Sequence, residues 1–386
     1  MLTIADRIAD RSNNFGLIRF VAASLVVFSH SYPLTGHVDD EPLARVWKFA
    51  DLAGLAVISF FVISGFLVAR SAFLAPTLSQ FVRARLLRIW PALMLTAVFT
   101  ALFLGPVATI LTWRQYFSSG DTWLYAVGIP SLDVGRFLPG TFLTNPLPRG
   151  VNGSLWTIQI EVWLYFVMGC AALLRLTRRA AAFNAFIVIA LTVYVLFPAQ
   201  VLDWIPRHDA QMMPWLVVSF ILGALIYFNA KYIPLSLVLG AAMVVVTCFA
   251  ASTPLFGILF YPTFAYSVIL IALHPLLYVA RWNQRADYSY GIYLFAFPIQ
   301  QTLVSVIGPS DPRLLFAISY PGIVLAAAAS WSLVESKALS FKATGRWPTG
   351  NSMSRALRLN AELAPPHAIA AARERAADDD ANSRRL

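Results

Sequence analysis

The chain has 386 residues, 59% of them hydrophobic and only 12% charged, and a mean hydropathy of +0.68. Soluble domains carry about a quarter charged residues, so a soluble enzyme is excluded, and at roughly 20 apolar residues per bilayer crossing there is material for about ten helices. The formal net charge of +10 is, in such a chain, first a question of which loops hold the basic residues, and only then of nucleic acid.

An all-α, polytopic integral membrane protein is therefore expected. Residues 1–14 read as a short cytoplasmic segment with Arg7 and Arg11. The first apolar run, 15–32, lacks a following small-residue cleavage site and contains Arg19 and His30, which makes it a retained helix and not a signal peptide. Further runs fall near 50–69, 89–111, 155–177, 180–198, 213–228, 233–251, 254–280, 290–307 and 314–335, so ten crossings are predicted. With the N-terminus inside, 21 of the 29 Lys and Arg residues fall in cytoplasmic segments, against Arg45, Lys48, Arg114, Arg136, Arg149, Arg207 and Arg313 outside and Arg19 within a helix. Cytoplasmic loops retain basic residues, so both termini are placed in the cytoplasm and no nucleic acid partner is needed. The transmembrane domain is bounded at 15–342. From 343 to 386 the Ala-, Arg-, Asp- and Pro-rich composition has no apolar periodicity and reads as a disordered cytoplasmic tail.

The longest external connection, about 112–154, is rich in Gly, Pro and aromatic residues, among them Trp113, Tyr116, Trp123, Tyr125 and Phe137. It suits either a cap that stacks on a sugar or an interfacial aromatic belt. Cys170 and Cys248 lie in apolar runs and give no disulfide or thiolate-metal framework. His37, His208, His274 and His367 show no ligand spacing with a carboxylate, so no metal is expected.

Ionisable side chains at bilayer depth are expensive and are functional candidates by default. Arg19 and His30 are eleven residues apart on the first helix, close to three turns, so they share a face at two depths roughly 16 Å apart. An imidazole near neutral pH suits a general base, although a histidine near a helix end also suits the interface. Glu161, a short way into the fourth run, is expected at a depth similar to His30, where it would orient the imidazole or pair with an arginine. Ser64 and Gly65 read as small packing residues, since no nucleophile-elbow pattern surrounds Ser64. Arg83, Arg85 and Arg88, beside a helix start, could grip either the phosphates of a nucleotide cofactor or an anionic lipid headgroup.

These pieces, in this order, resemble the membrane-bound acyltransferase-3 family, O-acyltransferases of bacterial surface carbohydrates. Arg19 and His30 match its arginine, ten residues, histidine pattern, and Phe61–Leu67 its Phe-x-x-Ser-Gly-Phe-Leu signature. Arg85 and Arg88 match an Arg-x-x-Arg motif preceding the third helix, Ser154 to Tyr165 the Ser-Leu, acid, aromatic segment, and Ser289–Pro298 the Tyr-Leu-x-His-x-Pro run, with Glu335 closing the last helix. One departure is Ala296, where many members have histidine. Another is that no extracytoplasmic hydrolase-like domain follows, so transfer is expected to finish within the membrane domain or through a separate glycan-assembly protein. The resemblance implies that acetyl-CoA binds from the cytoplasm with its phosphates on Arg85 and Arg88. Its pantetheine would run through a core lined by Arg19, Tyr290 and Tyr293, and His30 would deprotonate a hydroxyl of an exported or lipid-linked glycan at the outer side of the inner membrane. Two rivals remain from the residues alone: a transporter of small carboxylates or lipid-linked sugars, and a structural or sensory protein whose charges pair for packing.

Overall fold

The computed structural model describes residues 2–344 apart from 11, 48, 197–212 and 281–285. Most of the expected tail, together with Arg11, Lys48, Arg207, His208, Arg281, Arg285 and His367, lies outside the described residues. Ten helices form where apolar runs were predicted: α1 Phe15–Leu34, α2 Leu52–Leu74, α3 Leu78–Phe99, α4 Trp156–Leu173, α5 Ala180–Leu196, α6 Met213–Phe228, α7 Leu237–Phe249, α8 Phe256–Leu273, α9 Ser289–Ile307 and α10 Pro312–Ser330. Seven of these, α1 to α4 and α8 to α10, lie in helical segments long and apolar enough to cross a membrane. α5, α6 and α7 have 17, 16 and 13 residues and fall short of that length. The protein is thus an all-helical, multi-pass membrane protein. Extended backbone pairs only at two isolated bridges among the described residues, Thr3 with Pro234 and Thr109 with Thr141.

Local chemistry sets the helix ends. Asp51 accepts the Gly54 N–H at 2.6 Å to cap α2, and Asp311 accepts the N–H groups of Arg313 and Leu314 to cap α10. Thr77 caps α3 through the Gln80 N–H. α3 therefore begins well before residue 89, and its arginines occupy the first turns of the helix rather than a loop preceding it. α3 continues through a π-helical stretch, Thr100–Leu104, to Ala108, and α10 through another, Trp331–Glu335, to Thr344.

α2 is the centre of the bundle, against α1, α4 and α6, while α9 lies between α1, α10 and α3. Contact between α2 and α6 depends on two glycines. A Cβ on Gly65 would overlap the Phe220 carbonyl and one on Gly223 the Val62 carbonyl, so the backbones meet without side chains between them. α1, α9 and α10 meet through Ala23, Val27, Ile292, Ala296, Ile323 and Ala327. Buried Gln300 ties the three together, donating to the Val27 carbonyl, Ser31 Oγ and Ser319 Oγ. On the outer surface, Phe103, Phe166, Val188, Phe249 and Leu325 are exposed, as lipid contact requires.

The connection from α3 to α4 folds into two short helices, Trp113–Ser118 and Gly120–Gly128. Tyr116 and Tyr125 are its buried core, and Tyr116 donates to the Ala101 carbonyl at 2.8 Å. Trp113, Trp123 and Phe137 are exposed. Its second half is tied to α9. Pro298 has no N–H, which leaves the Leu294 carbonyl without its helical donor; Asn152 Nδ2 takes that place at 2.9 Å. Gln301 donates to the carbonyls of Leu147 and Gly150 and accepts from Asn145. These bonds fix where Ser154 stands.

Candidate active site

Between α1, α2, α3, α4, α9 and the continuation of α10 lies a cavity of about 320 Å³. It gathers Arg19, Arg85, Arg88, Glu161, Tyr290 and Tyr293, six side chains singled out in the sequence, and adds Ser64, Thr157, Asp287, Ser289 and Trp331.

Its cationic end is organised by Asp287. Arg88 Nη2 lies 2.8 Å and Arg19 Nη2 3.2 Å from the same oxygen, Oδ2. The other oxygen accepts from Ser289 Oγ at 2.5 Å and from the Ser289 N–H at 3.3 Å. Burial alone would raise the Asp287 pKa, but Arg19, Arg88 and the Ser289 bonds outweigh it and hold the carboxyl well below the usual carboxylate range. Arg88 also lies over the Tyr290 ring at 5.4 Å and Arg85 over the Tyr165 ring at 5.5 Å. The buried Nε atoms of Arg19 and Arg85 have no acceptor in the structure.

In the middle, Glu161 Oε1 accepts from Ser64 Oγ at 2.9 Å and from the Tyr165 hydroxyl at 2.5 Å. The expectation that Glu161 matches His30 in depth and orients its imidazole is corrected here. Glu161 sits within the cavity, and the group beside His30 is Ser154, whose Oγ is 3.5 Å from Nδ1. Seven residues, about two turns, separate Ser154 from Glu161. Ser64, read in the sequence as a packing residue, lines the cavity with its hydroxyl on Glu161, while its neighbour Gly65 makes the close helix contact.

Val57, Phe60, Thr157 and Tyr293 line the part of the cavity on the Thr157 side of Glu161. The Tyr293 hydroxyl donates to the Ser154 carbonyl and lies 2.6 Å from Thr157 Oγ1. His30 does not line the cavity. It is half-buried, edge-on to Phe297 with ring centroids 5.7 Å apart. Ala296, at the position where histidine was noted as the family's choice, is fully buried in the apolar seam between α1 and α10.

Asp287 escaped the sequence reading because an acid two residues before a helix start looks like an ordinary cap. Tyr288 holds the cap position; Asp287 Oδ1 accepts from Ser289, the first residue of α9, and its Oδ2 joins the two arginines. Thr157 carried no signal as a neutral residue, and Ser154 stood out only as the first residue of the Ser-Leu segment.

Helices of bilayer length around a charged, aromatic-lined cavity define a multi-pass membrane protein with a polar cavity between its helices. Residues 13–333 match the acyltransferase-3 family model, described as an acyltransferase domain, and the chain belongs to that family: it is a membrane O-acyltransferase. It is 29% identical over 346 residues to a protein of Shigella phage Sf6 named O-acetyl transferase, with 86% of this chain and 97% of the relative covered. It is 28% identical over 357 residues to nodulation protein 10 of Rhizobium leguminosarum bv. viciae, covering 86% and 94%. No solved structure matches the chain. Membership sets aside the transporter and the packing-only readings.

Proposed function

We propose that this O-acyltransferase moves an acetyl group from acetyl-CoA, entering from the cytoplasmic side of a bacterial inner membrane, to a hydroxyl of an exported or lipid-linked glycan at the outer side. The observation that carries this reading is the polarity of the chamber: guanidinium groups converge at one end, and a histidine stands just beyond the other. The phage relative, named for O-acetyl transfer, supports the choice of acetyl and of an oxygen acceptor.

The residues present fit the donor. Arg85 and Arg88 offer charge-assisted hydrogen bonds to its phosphates, and the buried Nε groups of Arg19 and Arg85 are donors awaiting an acceptor. Tyr290 flanks the slot for the pantetheine arm and Tyr293 and Phe60 stand at its far end, with Glu161 held as an acceptor by Ser64 and Tyr165. His30 takes the proton of the acceptor hydroxyl. That oxygen then bonds to the thioester carbonyl carbon, the carbon–sulfur bond breaks, and the thiolate leaves to be protonated. Ser154 at Nδ1 leaves Nε2 free for the hydroxyl. Both termini lie in the cytoplasm in this orientation, the transmembrane domain spans 15–342 with a cytoplasmic segment before it and a tail after it, lipid surrounds the bundle, and glycan-assembly proteins supply the acceptor.

The test is surface polysaccharide from cells lacking the gene, complemented with wild type or His30→Ala. Proton spectra are expected to show O-acetyl signals only with wild type, while both proteins reach the membrane in equal amounts. O-acetylation of normal extent by His30→Ala removes His30 from the mechanism.

A further inference from the structure

The chamber holds the arginines and His30 stands outside it, so something separates the donor's seat from the base. α1 and α9 run side by side in the same direction: Arg19 meets Asp287, and eleven residues on His30 meets Phe297. Tyr293 falls between, one turn beyond Tyr290 and one turn before Phe297. Its hydroxyl is bonded to the Ser154 carbonyl and to Thr157, both at 2.6 Å, and its ring is T-shaped to Phe60 at 6.1 Å. The side chain is thus held through both its hydroxyl and its ring, and with Phe60, Val57 and Thr157 it lines the part of the cavity nearest His30.

We infer that Tyr293 is a specificity-determining residue: its ring is the floor against which the acyl group abuts, limiting transfer to short acyl chains, and the same ring shields the thioester from water until an acceptor enters beside His30. The inference rests on the donor reading above. Short acyl groups follow because the wall is fixed aromatic surface rather than a flexible aliphatic end. A pocket that closes directly on the acyl carbon rejects added methylenes by steric overlap, a stronger discrimination than lost contact. Opening the wall also exposes the carbonyl carbon to water. A water oxygen would then bond to that carbon, the carbon–sulfur bond would break, and free carboxylate and thiol would form without acceptor.

Purified full-length protein is to be titrated with acetyl-, butyryl- and hexanoyl-CoA, and thiol release followed with no acceptor present. Wild type is expected to bind acetyl-CoA best and to release little thiol. Tyr293→Ala should raise the affinity for hexanoyl-CoA relative to acetyl-CoA by at least about tenfold and raise acceptor-free thiol release by a similar factor. Tyr293→Phe, which keeps the ring, should retain the wild-type chain-length order. A merely structural role would weaken all three thioesters alike, and an unchanged order in Tyr293→Ala overturns the inference. If that variant does not fold, Phe60→Leu, which opens the same wall, is expected to shift the order in the same direction, and an unchanged order there is equally refuting. Wild type that binds no acetyl-CoA at all refutes the donor reading, and this inference with it, before any variant is compared.

Discussion

Asp287→Asn separates two roles for the carboxylate that joins Arg19 and Arg88. The substitution keeps the side-chain volume and removes the charge that both guanidinium groups share. The pairs are 2.8 and 3.2 Å long, and the Asp287 side chain is 17% exposed. Removing one partner of a buried ion pair costs about 3–5 kcal/mol, and residual solvent places this case near the lower figure, about 3 kcal/mol. At roughly 2 °C or more per kcal/mol, the ligand-free variant should melt about 6 °C below wild type. If the Asp287 carboxylate occupies the seat that a donor phosphate takes, an added anion relieves the two stranded arginines. Coenzyme A should then bind the variant about tenfold more tightly, worth about 1.4 kcal/mol, and should recover more of its melting temperature than it adds to wild type. Thermal unfolding of detergent-solubilised protein across a coenzyme A titration measures both. A coenzyme-induced shift in Asp287→Asn equal to or smaller than that in wild type refutes the shared-seat argument and leaves Asp287 as a positioning group alone.

Arg85→Ala and Arg88→Ala should each weaken acetyl-CoA binding about 10- to 100-fold, the value of a charge-assisted hydrogen bond of about 1.5–3 kcal/mol, in calorimetric titrations; unchanged affinity points instead to a lipid headgroup on these arginines. Ser154→Ala should lower turnover about tenfold at saturating donor while leaving the donor KM in place, since it frees the imidazole without touching the arginine end; a KM change with constant turnover contradicts that role. Because the Asp287 pKa is held below its ordinary value, its contribution to stability is fully present above the unfolded carboxylate pKa and is lost only as pH falls through the lower folded value. The melting difference between wild type and Asp287→Asn should therefore stay constant from about pH 7.5 to about pH 5, and a difference that closes in that interval counts against the ion triad. Finally, Ala296→His in a His30→Ala background should restore no O-acetylation in the polysaccharide assay, and recovery would show that the two positions share one chamber.

Helix positions were legible in the sequence because hydropathy follows lipid contact, and lipid contact is what the bilayer imposes on each span. The start of α3 was not, because Arg83, Arg85 and Arg88 interrupt the apolar run without interrupting the helix: Thr77 caps the backbone there, and the capped helix extends beyond the hydrocarbon-like stretch. Arg19 and Glu161 were legible as candidates from the cost of placing such groups at depth, Arg85 and Arg88 from their spacing beside a helix start, and Tyr290 and Tyr293 from the family resemblance alone. Their pairings were not. Glu161 was assigned the depth of His30 by counting from a helix end, yet His30 lies only four residues before the end of α1 while a 3-10 turn, Gly153–Leu155, precedes α4. Ser154 on that turn, not the carboxylate two turns further on, therefore meets the imidazole. Such a pairing depends on Asn152 bonding to a carbonyl that Pro298 leaves free, a contact across 142 positions of sequence that no local pattern encodes.

α9 explains how one helix serves both ends of the chamber while excluding a second histidine. Tyr290, Tyr293 and Phe297 form one stripe, which faces the cavity and then His30. Ile292, Ala296 and Gln300 form another, which faces α1 and α10. The second stripe is what sets the first in register. Small side chains at Ala23, Ala296 and Ala327 bring the helices close, and Gln300 then fixes the axial position of α9 against Val27 and Ser31 on α1. With that register set, the three-turn separation of Arg19 and His30 is copied onto α9 as the separation of Asp287 and Phe297, with Tyr293 between them. An imidazole at position 296 would have to enter the apolar seam, where added volume costs about 1–3 kcal/mol and moves the contacts that set the register of α9. Alanine at that position thus belongs to the packing stripe, which leaves His30 on α1 as the base of the proposed transfer.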